Sequence, residues 1–376
     1  MDRYKIKPRL NWQKIVESQG LNFHSSENVY WDESAHYVFR EKEILDIETA
    51  TNELFEMCLK AVQHIFDNKL FSDFNIPDQF IELLEYSWEK DLPSIYGRFD
   101  LAYDGKEIKM LEFNADTPTS LLEASVIQWY WLQDVDVSKD QFNSIHERLI
   151  EHLKNLQPYF YSGDFHFSCA KDTEEDYLTV AYIMDCAQQA GYNVKFIYID
   201  DIVYNDKKNK FQGIDKEDIV NIFKLYPYEW MMKEEFGKYL VSTKDKTNWV
   251  EPAWKSLLSN KMILKVLWDI FPNHKYLLET NISPLQYSYV RKPKLSREGA
   301  NIQIIENGRL KAETKGEYGR EGFIYQEYFK IPHFDHNFPI IGSWIIGGEA
   351  AGMGIRESNS IITDNLSRFI PHYFIN

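Results

Sequence analysis

The sequence predicts a mixed α/β (α+β) fold that contains a small doubly wound β-α-β lobe. Residues 164–203 read as a strand, a helix that ends at Gly191 and a second strand, which is the order expected of parallel strands joined by a crossover helix. Outside this lobe, a long helical pattern occupies residues 41–68, and several hairpin-like strands follow residue 286. With 376 residues, of which 44% are hydrophobic, the chain is large enough for two or three packed units.

The N-terminal helices are predicted from the spacing of apolar residues. Between residues 41 and 68, apolar side chains recur every three or four positions, as they do on the buried face of a helix. A second helix is expected at 77–90, because Pro77 and Asp78 are typical of a first helical turn. The apolar positions of the first helix are Ile44, Ile47, Ala50, Leu54, Cys58, Ala61, Val62 and Ile65.

The rest of the chain alternates between short strands and helices. Asp104-Gly105 is a typical hairpin dipeptide, so the apolar runs on either side of it are predicted to be paired strands. The sequence shows no internal repeat and no low-complexity linker, so we expect interleaved domains. The expected strands lie at 98–103, 107–114, 166–170, 193–200, 286–292, 301–305, 322–329, 339–346 and 350–356, and the expected helices at 119–132, 138–155, 174–191, 252–258 and 260–271.

Charge and cysteine content argue against several classes of protein. The 42 Lys and Arg residues against 58 Asp and Glu residues give a net charge of −16, which repels nucleic acid and anionic membranes. The three cysteines form no Cys-x-x-Cys pair, which favours a reducing compartment over a disulfide framework. The sequence has no recognisable signal peptide and no run of 18 apolar residues, so we expect a cytoplasmic protein that does not span a membrane.

Four polar residues of the predicted hairpin could converge on one face. Side chains alternate along a strand, so Arg98 shares a face with Asp100, and Glu112 shares a face with Asn114. A two-residue loop would place these two pairs on opposite faces of the hairpin. A three-residue loop with a left-handed glycine bulge would bring all four side chains together. The sequence alone leaves both registers open.

The converged arrangement would supply the hard oxygen ligands that Mg²⁺ prefers. A hairpin with one solvated face would also show acidic and amide side chains at alternate positions. The next residues favour a binding site, because an Asn-Ala-Asp-Thr-Pro-Thr-Ser turn leads into a helix N-terminus, where N–H groups and hydroxyls cap the helix or bind anions. Asp100, Glu112 and Asn114 are therefore candidate magnesium ligands, with a solvated hairpin face as the alternative.

A basic loop later in the chain could bind a nucleotide. No GxxxxGK[ST] motif is present, so the phosphates would have to be held in another way. The segment SYVRKPKLSREGANIQII, residues 288–305, reads as a strand, a short basic loop and another strand. Lys and Arg side chains on such a loop can close over triphosphate oxygens. Each basic residue alone is typical of a solvated surface, but their combination favours a nucleotide site.

Two long motifs resemble one family. The segment RFDLAYDGKEIKMLEFNADTPTSLLEA, residues 98–124, resembles the signature of the glutathionylspermidine synthase family. The run IIGSWIIGGEAAGMGIRESNSIITDNLSRFIPHYF, residues 340–374, is similar to the synthetase-like bacterial branch that lacks an amidase domain. The resemblance covers nearly the whole chain. It implies an ATP-grasp fold, a carboxylate–amine ligase activity, and ATP and Mg²⁺ as cofactors.

The resemblance also implies three regions. Residues 1–160 would combine the N-terminal helices with the metal-binding hairpin as part of the synthetase core. Residues 161–228 would form the small β-α-β pre-ATP-grasp lobe, which a segment from Gly213 to about Tyr226 continues. Residues 229–376 would form the nucleotide-binding part.

Individual roles follow from the same resemblance. Three arginines would contact the substrate carboxylate or the transferring phosphoryl group and act in catalysis: Arg98, Arg297 and Arg356. The implied nucleotide contacts are Arg98, Lys261, Lys292, Arg297, Arg356 and, through the backbone beside adenine, Gln326, Glu327 and Tyr328. The implied substrate contacts are Thr117, Thr119 and Ser120 for the acid, and Glu174 and Glu175, within the acidic run 172–176, for the amine.

The substrates implied are a small-molecule or peptide carboxylate and an amine, with a polyamine as one candidate. A non-catalytic ATP-grasp relative that binds nucleotide or acts as a scaffold is the alternative. Such a relative would be expected to lose a metal carboxylate or a phosphate arginine. All of these residues are present, which favours the enzyme. The sequence does not identify the acid, the amine or the oligomeric state.

Overall fold

The computed structural model describes residues 1–25, 29–171, 173–363 and 367–376, and it has the mixed α/β architecture predicted from the sequence. Its helices are α1 Trp12–Ser18, α2 Glu41–Asn68, α3 Ile81–Glu89, α4 Gln128–Val135, α5 Ile145–Leu156, α6 Glu174–Gln189, α7 Tyr228–Met231, α8 Ser256–Ser259 and α9 Met262–Ile270. Its strands are β1 Asp2–Lys5, β2 Ala35–Arg40, β3 Tyr96–Tyr103, β4 Ile108–Asn114, β5 Phe165–Cys169, β6 Val194–Phe196, β7 Val203–Asn205, β8 Lys210–Gln212, β9 Asn221–Leu225, β10 Asn248–Val250, β11 Thr280–Asn281, β12 Tyr289–Pro293, β13 Gln303–Glu306, β14 Arg309–Glu313, β15 Phe323–Glu327, β16 Phe338–Ile346, β17 Glu349–Ser358, β18 Arg368–Ile370 and β19 His372–Ile375.

Helix α2 matches its predicted bounds, and all eight of its predicted apolar positions are buried. They pack mainly against β16, β17 and α9. Two strands, β16 and β17, belong to an antiparallel sheet with the order β18-β17-β16-β3-β4. The predicted hairpin therefore lies in the same sheet as the C-terminal strands, and chain regions far apart in sequence share one layer.

A second antiparallel sheet has the order β11-β15-β12-β13-β14.

The small lobe has a parallel sheet with the order β10-β9-β5-β6, in which α6 packs on β5. Both faces of this sheet are covered: Phe165 and Phe167 face the cluster that contains α5 and α6, and Ile222 faces the main core. Two-sided burial is what a parallel sheet requires.

Several predicted helix starts differ from the structure, and two of these differences have a clear cause. The helix expected from residue 138 begins only at Ile145, because the N–H and the hydroxyl of Ser144 both donate to the Ala351 carbonyl, at 2.7 and 2.9 Å, and tie this segment to β17. The helix expected from Thr119 begins after Ser120, whose φ of 67° is left-handed and incompatible with an α-helix. Its first turns contain a π-helical stretch, Glu123–Ile127, before α4.

Several short elements have no counterpart in the sequence-based prediction. They are β1, β2, β7, β8, β10, β11, β14, β18, β19, α1 and α7. Most of them have only three to six residues, too few for a periodic pattern to indicate them. No helix among the described residues combines the length and apolar character that crossing a membrane requires.

Candidate active site

One cavity of about 610 Å³ lies where the two antiparallel sheets, the basic loop after β12 and the small lobe meet. Fifteen of the sixteen site residues predicted from the sequence line it: Arg98, Asp100, Glu112, Asn114, Thr117, Thr119, Glu174, Glu175, Lys261, Lys292, Arg297, Gln326, Glu327, Tyr328 and Arg356. Ser120 is the exception, since it is buried beside the cavity. The structure thus brings together residues from all three predicted regions of the chain.

The β3–β4 hairpin has neither of the two loops considered from the sequence. Tyr103 pairs with Ile108 across a four-residue turn, in which the Asp104 carboxylate accepts hydrogen bonds from two backbone N–H groups of the turn. Continued along both strands, that register would place the acidic residues of β3 and β4 on opposite faces. A one-residue slip reverses every side chain of a strand.

A β-bulge supplies that slip. Leu111 is the extra residue in β4, so Asp100 lies directly opposite Glu112, and Arg98 lies opposite Asn114. All four side chains therefore share one face and line the cavity. The predicted convergence is present, but a bulge in the strand, rather than the length of the loop, produces it.

Cations balance the two facing carboxylates, which would otherwise repel each other across the strands. Arg98 Nε lies 2.8 Å from Asp100 Oδ1, and Lys261 Nζ lies 3.0 Å from Glu112 Oε2. Burial disfavours the charged form of Glu112, but the positive charges of Lys261 and Lys292 outweigh it and lower the pKa of Glu112 to about 2. Glu112 is a permanent anion at neutral pH.

Lys292 is the most perturbed cation of the site. Its ammonium group is buried and donates to the Gln326 side-chain oxygen at 2.6 Å and to the Leu111 carbonyl at 2.9 Å. Burial lowers the pKa of Lys292 to about 8, although the nearby Glu112 carboxylate opposes this shift. Lys292 can thus change its charge at mildly alkaline pH.

The oxygen atoms of Asp100, Glu112 and Asn114 fit a magnesium ion of the kind that binds nucleotides. Mg²⁺ in such sites takes one or two protein carboxylates and completes its shell with phosphate oxygens and water. Among the described residues, no group of three or more His, Cys, Asp and Glu side chains is arranged to hold a metal by itself. The donor set therefore matches a shared protein–phosphate site better than an all-protein cage.

The basic loop closes over the cavity through Arg297. Its guanidinium donates to the Thr117 hydroxyl at 2.7 Å and to the Glu229 carboxylate at 2.9 Å, and it lies over the Trp230 ring. Lys261 donates to the Ser296 carbonyl of the same loop at 2.9 Å. The loop thus contacts both the polar turn after β4 and the small helix α7.

The strand expected to contact adenine has most of its polar groups paired. The Gln326 side chain points inward to Lys292 and to the Met110 carbonyl. The N–H groups of Glu327 and Tyr328 donate to the carbonyls of Glu279 and Ser288, at 2.7 and 3.3 Å. An adenine that used these N–H groups would have to replace those partners.

The acidic end of the cavity belongs to the small lobe. Glu174 and Glu175 occupy the first turn of α6, where negative charge is favourable next to the free N–H groups of a helix. Both residues line the cavity, whereas Asp172, which opens the acidic run, lies outside the described residues. The positive charge of Arg297 acts on Asp176 in the same helix turn, so negative and positive side chains meet in this part of the cavity.

Two residues beside the cavity were not selected from the sequence. Tyr30 lines the cavity and donates its hydroxyl proton to Glu123 Oε1 at 2.6 Å; Ser120 Oγ lies 3.1 Å from the same phenol oxygen. Glu123 is only 1% exposed and belongs to the π-helical stretch. The negative charge of Glu175 and the positive charge of Arg356 both act on it. No spacing pattern in the sequence indicates this contact.

Comparisons with known proteins agree with this geometry. The family model described as glutathionylspermidine synthase pre-ATP-grasp matches residues 3–375. A Haemophilus influenzae protein named "Putative acid--amine ligase" is 43% identical over 360 residues, which cover 92% of this chain and 91% of that protein.

Two longer relatives match over part of their length. Trypanothione synthetase of Crithidia fasciculata is 29% identical over 331 residues, which cover 81% of this chain and 51% of that enzyme. The bifunctional glutathionylspermidine synthetase/amidase of Escherichia coli is 26% identical over 367 residues, which cover 89% of this chain and 58% of that enzyme. This chain thus spans little more than half the length of either enzyme.

A solved structure supports the fold alone. The glutathione synthetase-like effector of Globodera pallida superposes with a TM-score of 0.59 at 12% identity, covering 97% of this chain and 96% of the effector. At that identity, the likeness carries no information about substrates.

Proposed function

The chain belongs to the glutathionylspermidine synthase pre-ATP-grasp family, and from that premise we propose that it is an ATP- and Mg²⁺-dependent ligase that joins a carboxylate to an amine. The observation that carries the proposal is the cavity itself. It combines a facing pair of carboxylates, two buried lysines and three arginines with the acidic first turn of α6. Phosphoryl transfer and amine recognition require such opposite charges.

The chemistry explains why these groups are needed. An amine does not displace oxide or hydroxide from a carboxylate, so ATP first phosphorylates the acid, and the amine then displaces phosphate from the acyl phosphate. The developing charge on the transferring phosphoryl group needs preorganised cations. Magnesium held by Asp100, Glu112 and Asn114 would supply part of that charge neutralisation.

The protein's own cations supply the rest. Lys261 and Lys292 are proposed to bind the nucleotide phosphates, and Arg297 is proposed to leave Glu229 and contact the γ-phosphoryl group. Arg98 and Arg356 would hold the substrate carboxylate or the acyl phosphate. Arg98 suits this role because Asp100 and the Thr119 carbonyl fix its guanidinium in the cavity wall.

The substrates are proposed by class. Thr117 and Thr119 would hold a small-molecule or peptide carboxylate, and Glu174 and Glu175 would attract a protonated amine, for which a polyamine is a natural candidate. The names of the relatives support such a pair, since one of them makes glutathionylspermidine. The three cysteines are free thiols, which supports a reducing compartment such as the cytoplasm.

The test is ADP release from Mg-ATP with a panel of carboxylic acids, glutathione and other small peptides included, each with and without spermidine and other amines. A ligase releases ADP only with a matching acid and amine. ATP binding without ADP release for every pair would instead favour the non-catalytic, nucleotide-binding alternative.

Variants connect the activity to the cavity. Asp100→Ala and Arg297→Ala are expected to abolish ADP release while the fold is retained, as judged by circular dichroism. Lys42→Ala, which removes an exposed ion pair with Asp46 outside the cavity lining, is the matched control and should keep full activity. Full activity in Asp100→Ala would contradict the assignment.

A further inference from the structure

The buried Tyr30–Glu123 pair has a place in the cavity that the ligase scheme above does not use. Glu123 does not line the cavity, but the Tyr30 ring does, and the phenol donates to Glu123 at 2.6 Å. A proton that enters at the Tyr30 hydroxyl can therefore reach a carboxylate that solvent does not. Glu123 belongs to a π-helical stretch, a distortion that is frequent at functional sites.

The surroundings place this pair between the two halves of the reaction. Glu175, on the proposed amine side, acts electrostatically on both Tyr30 and Glu123. On the phosphate side, the charge of Arg356 acts on Glu123, and Tyr30 acts on Arg98. An amine held at Glu175 and an acyl phosphate held by the arginines would meet beside the Tyr30 ring.

The reaction creates a need at this position. An alkyl amine is an ammonium ion at neutral pH and has no lone pair with which to attack. We propose that Tyr30 and Glu123 form a proton relay that takes one proton from the attacking amine, an inference that rests on the proposed ligase function. Several other carboxylates line the cavity, and among them Glu112 is held ionised by Lys261 and Lys292, which makes it a weak base.

The step balances as follows. One N–H bond of the ammonium breaks and its proton passes to the Tyr30 oxygen, while the phenol proton moves to Glu123 Oε1. The freed lone pair forms the C–N bond at the acyl carbon, and the C–O bond to phosphate breaks with its electron pair on phosphate. The second proton lost from nitrogen leaves with the phosphate, and Glu123 later returns its proton to solvent through Tyr30.

The protonation behaviour of the pair fits this role. Burial raises the pKa of Glu123 to about 7, and the charge of Glu175 adds to this effect, whereas the Tyr30 hydrogen bond and Arg356 oppose it. Burial also raises the pKa of Tyr30 well above its ordinary value, so the phenol passes a proton on rather than staying ionised. A carboxyl group that titrates near neutrality is suited to accept and release protons in each turnover.

Hydroxylamine provides the test, because it is uncharged at neutral pH and needs no proton acceptor before it attacks. The wild-type protein, Tyr30→Phe and Glu123→Gln are compared for hydroxamate formation with hydroxylamine and for amide formation with spermidine, using glutathione or whichever acid of the panel supports ADP release. We expect amide formation to fall about 10²-fold in both variants, the lower range for loss of a proton-transfer group, with hydroxamate formation close to wild type.

Tyr37→Phe is the matched control. Tyr37 also donates to a buried carboxylate, Glu357, at 2.6 Å, but it does not line the cavity, and Arg3 and Arg368 still pair with Glu357 in the variant. This variant should keep both activities.

The pH profile adds a readout that misfolding would not produce. Amide formation by the wild type should level off above about pH 7, whereas in Glu123→Gln it should keep rising with the fraction of uncharged amine.

The outcomes separate the relay from the ligase. Loss of hydroxamate and amide together in Tyr30→Phe and Glu123→Gln would assign the pair a structural role and overturn the relay, and so would full amide formation in both. If the wild-type protein forms neither product with any acid of the panel, the ligase proposal fails, and the relay fails with it.

Discussion

Two carboxylates on either side of one polar turn, Glu112 at the end of β4 and Glu123 in the π-helical stretch, have opposite environments. Glu112 faces Lys261 and Lys292, and its pKa falls to about 2. Glu123 is buried against Tyr30, with Glu175 nearby, and its pKa rises to about 7. The same chemical group is thus a permanent anion in one region and a titrating group in the other, and the neighbours decide which.

The contrast divides the proposed reaction. The region of Glu112 would serve the activation of the acid, because a fixed negative charge suits a magnesium ion and balances lysines until phosphate arrives. The region of Glu123 would serve the attack of the amine, because that step releases protons. If this division is right, changes in the two regions should affect different steps.

The largest expected effect is on the rate of product formation, and it should show that Glu112 and Glu123 act in different steps. With hydroxylamine as the nucleophile, Glu112→Gln should reduce ADP release and hydroxamate formation together by about 10²–10³-fold, the typical loss for one preorganised electrostatic group. Glu123→Gln should leave both nearly unchanged. Both rates are measured at saturating Mg-ATP for each variant. Equal losses of hydroxamate in the two variants would remove the division of roles.

The substitutions Glu123→Gln and Glu112→Gln should change the free energy of unfolding in opposite directions. The pKa of Glu123 is higher in the folded chain than in the unfolded chain, so the folded state is stabilised below about pH 4.5 relative to higher pH, and this contribution is lost as the pH rises to about 7. Glu123→Gln should therefore raise the free energy of unfolding at pH 8 by up to about 3 kcal/mol and change it little at pH 4.5.

For Glu112 the sign is reversed. Its pKa is lower in the folded chain, so its contribution is present above about pH 4.5 and is lost as the pH falls towards 2. Glu112→Gln should destabilise the protein at pH 8 by about 1–2 kcal/mol, less than the full shift implies because 27% of the side chain is exposed. Urea unfolding of both variants at the two pH values measures this; changes of the same sign would contradict the assigned environments.

The two regions also differ in how far the sequence predicts them. Helical spacing was enough to assign the buried face of α2, because that pattern is local. Alternation placed Glu112 and Asn114 on one face, but their alignment with Asp100 depends on the bulge at Leu111, which the packing of five strands determines. The roles of Lys292 and Arg297 in the basic segment follow from the family resemblance, because spacing alone does not distinguish them from solvated surface charges.

Neither residue spacing nor the family resemblance predicts the region of Glu123. The contact between Tyr30 and Glu123 joins residues 93 positions apart, and Tyr30 lies in an irregular segment without periodicity. Glu123 follows two leucines in what reads as an ordinary helix. Its burial depends on β17 and α5, which pack against the π-helical stretch only in the tertiary structure.

A smaller effect should sharpen the description of the Glu112 region. The pKa of Lys292 is about 8, and its charged form is the one that binds phosphate. The dissociation constant of Mg-ADP should therefore rise above pH 8, by at most tenfold per pH unit, since one proton must be taken up on binding. In Lys292→Arg the side chain stays charged over this pH range, so the dissociation constant of Mg-ADP should change little with pH. Calorimetric titrations with Mg-ADP from pH 7 to 9.5 compare the wild type with Lys292→Arg. If the dissociation constants of both proteins rise in parallel with pH, a group other than Lys292 titrates.

The smallest effect concerns the neighbour of Glu123. Glu175 raises the pKa of Glu123 through its negative charge, and this contribution is secondary to burial. Glu175→Gln should therefore move the acidic limb of the kcat profile for amide formation to lower pH by less than one unit, while the KM for the amine rises because an attracting charge is lost. Glu174→Gln is the matched control: it should raise the KM in the same way, but it should leave the limb nearly in place, because its charge is not among the largest influences on the pKa of Glu123. A shift of equal size in both variants would mean that the limb reports binding of the amine and not the titration of Glu123, and the two carboxylates would then no longer mark two separate steps.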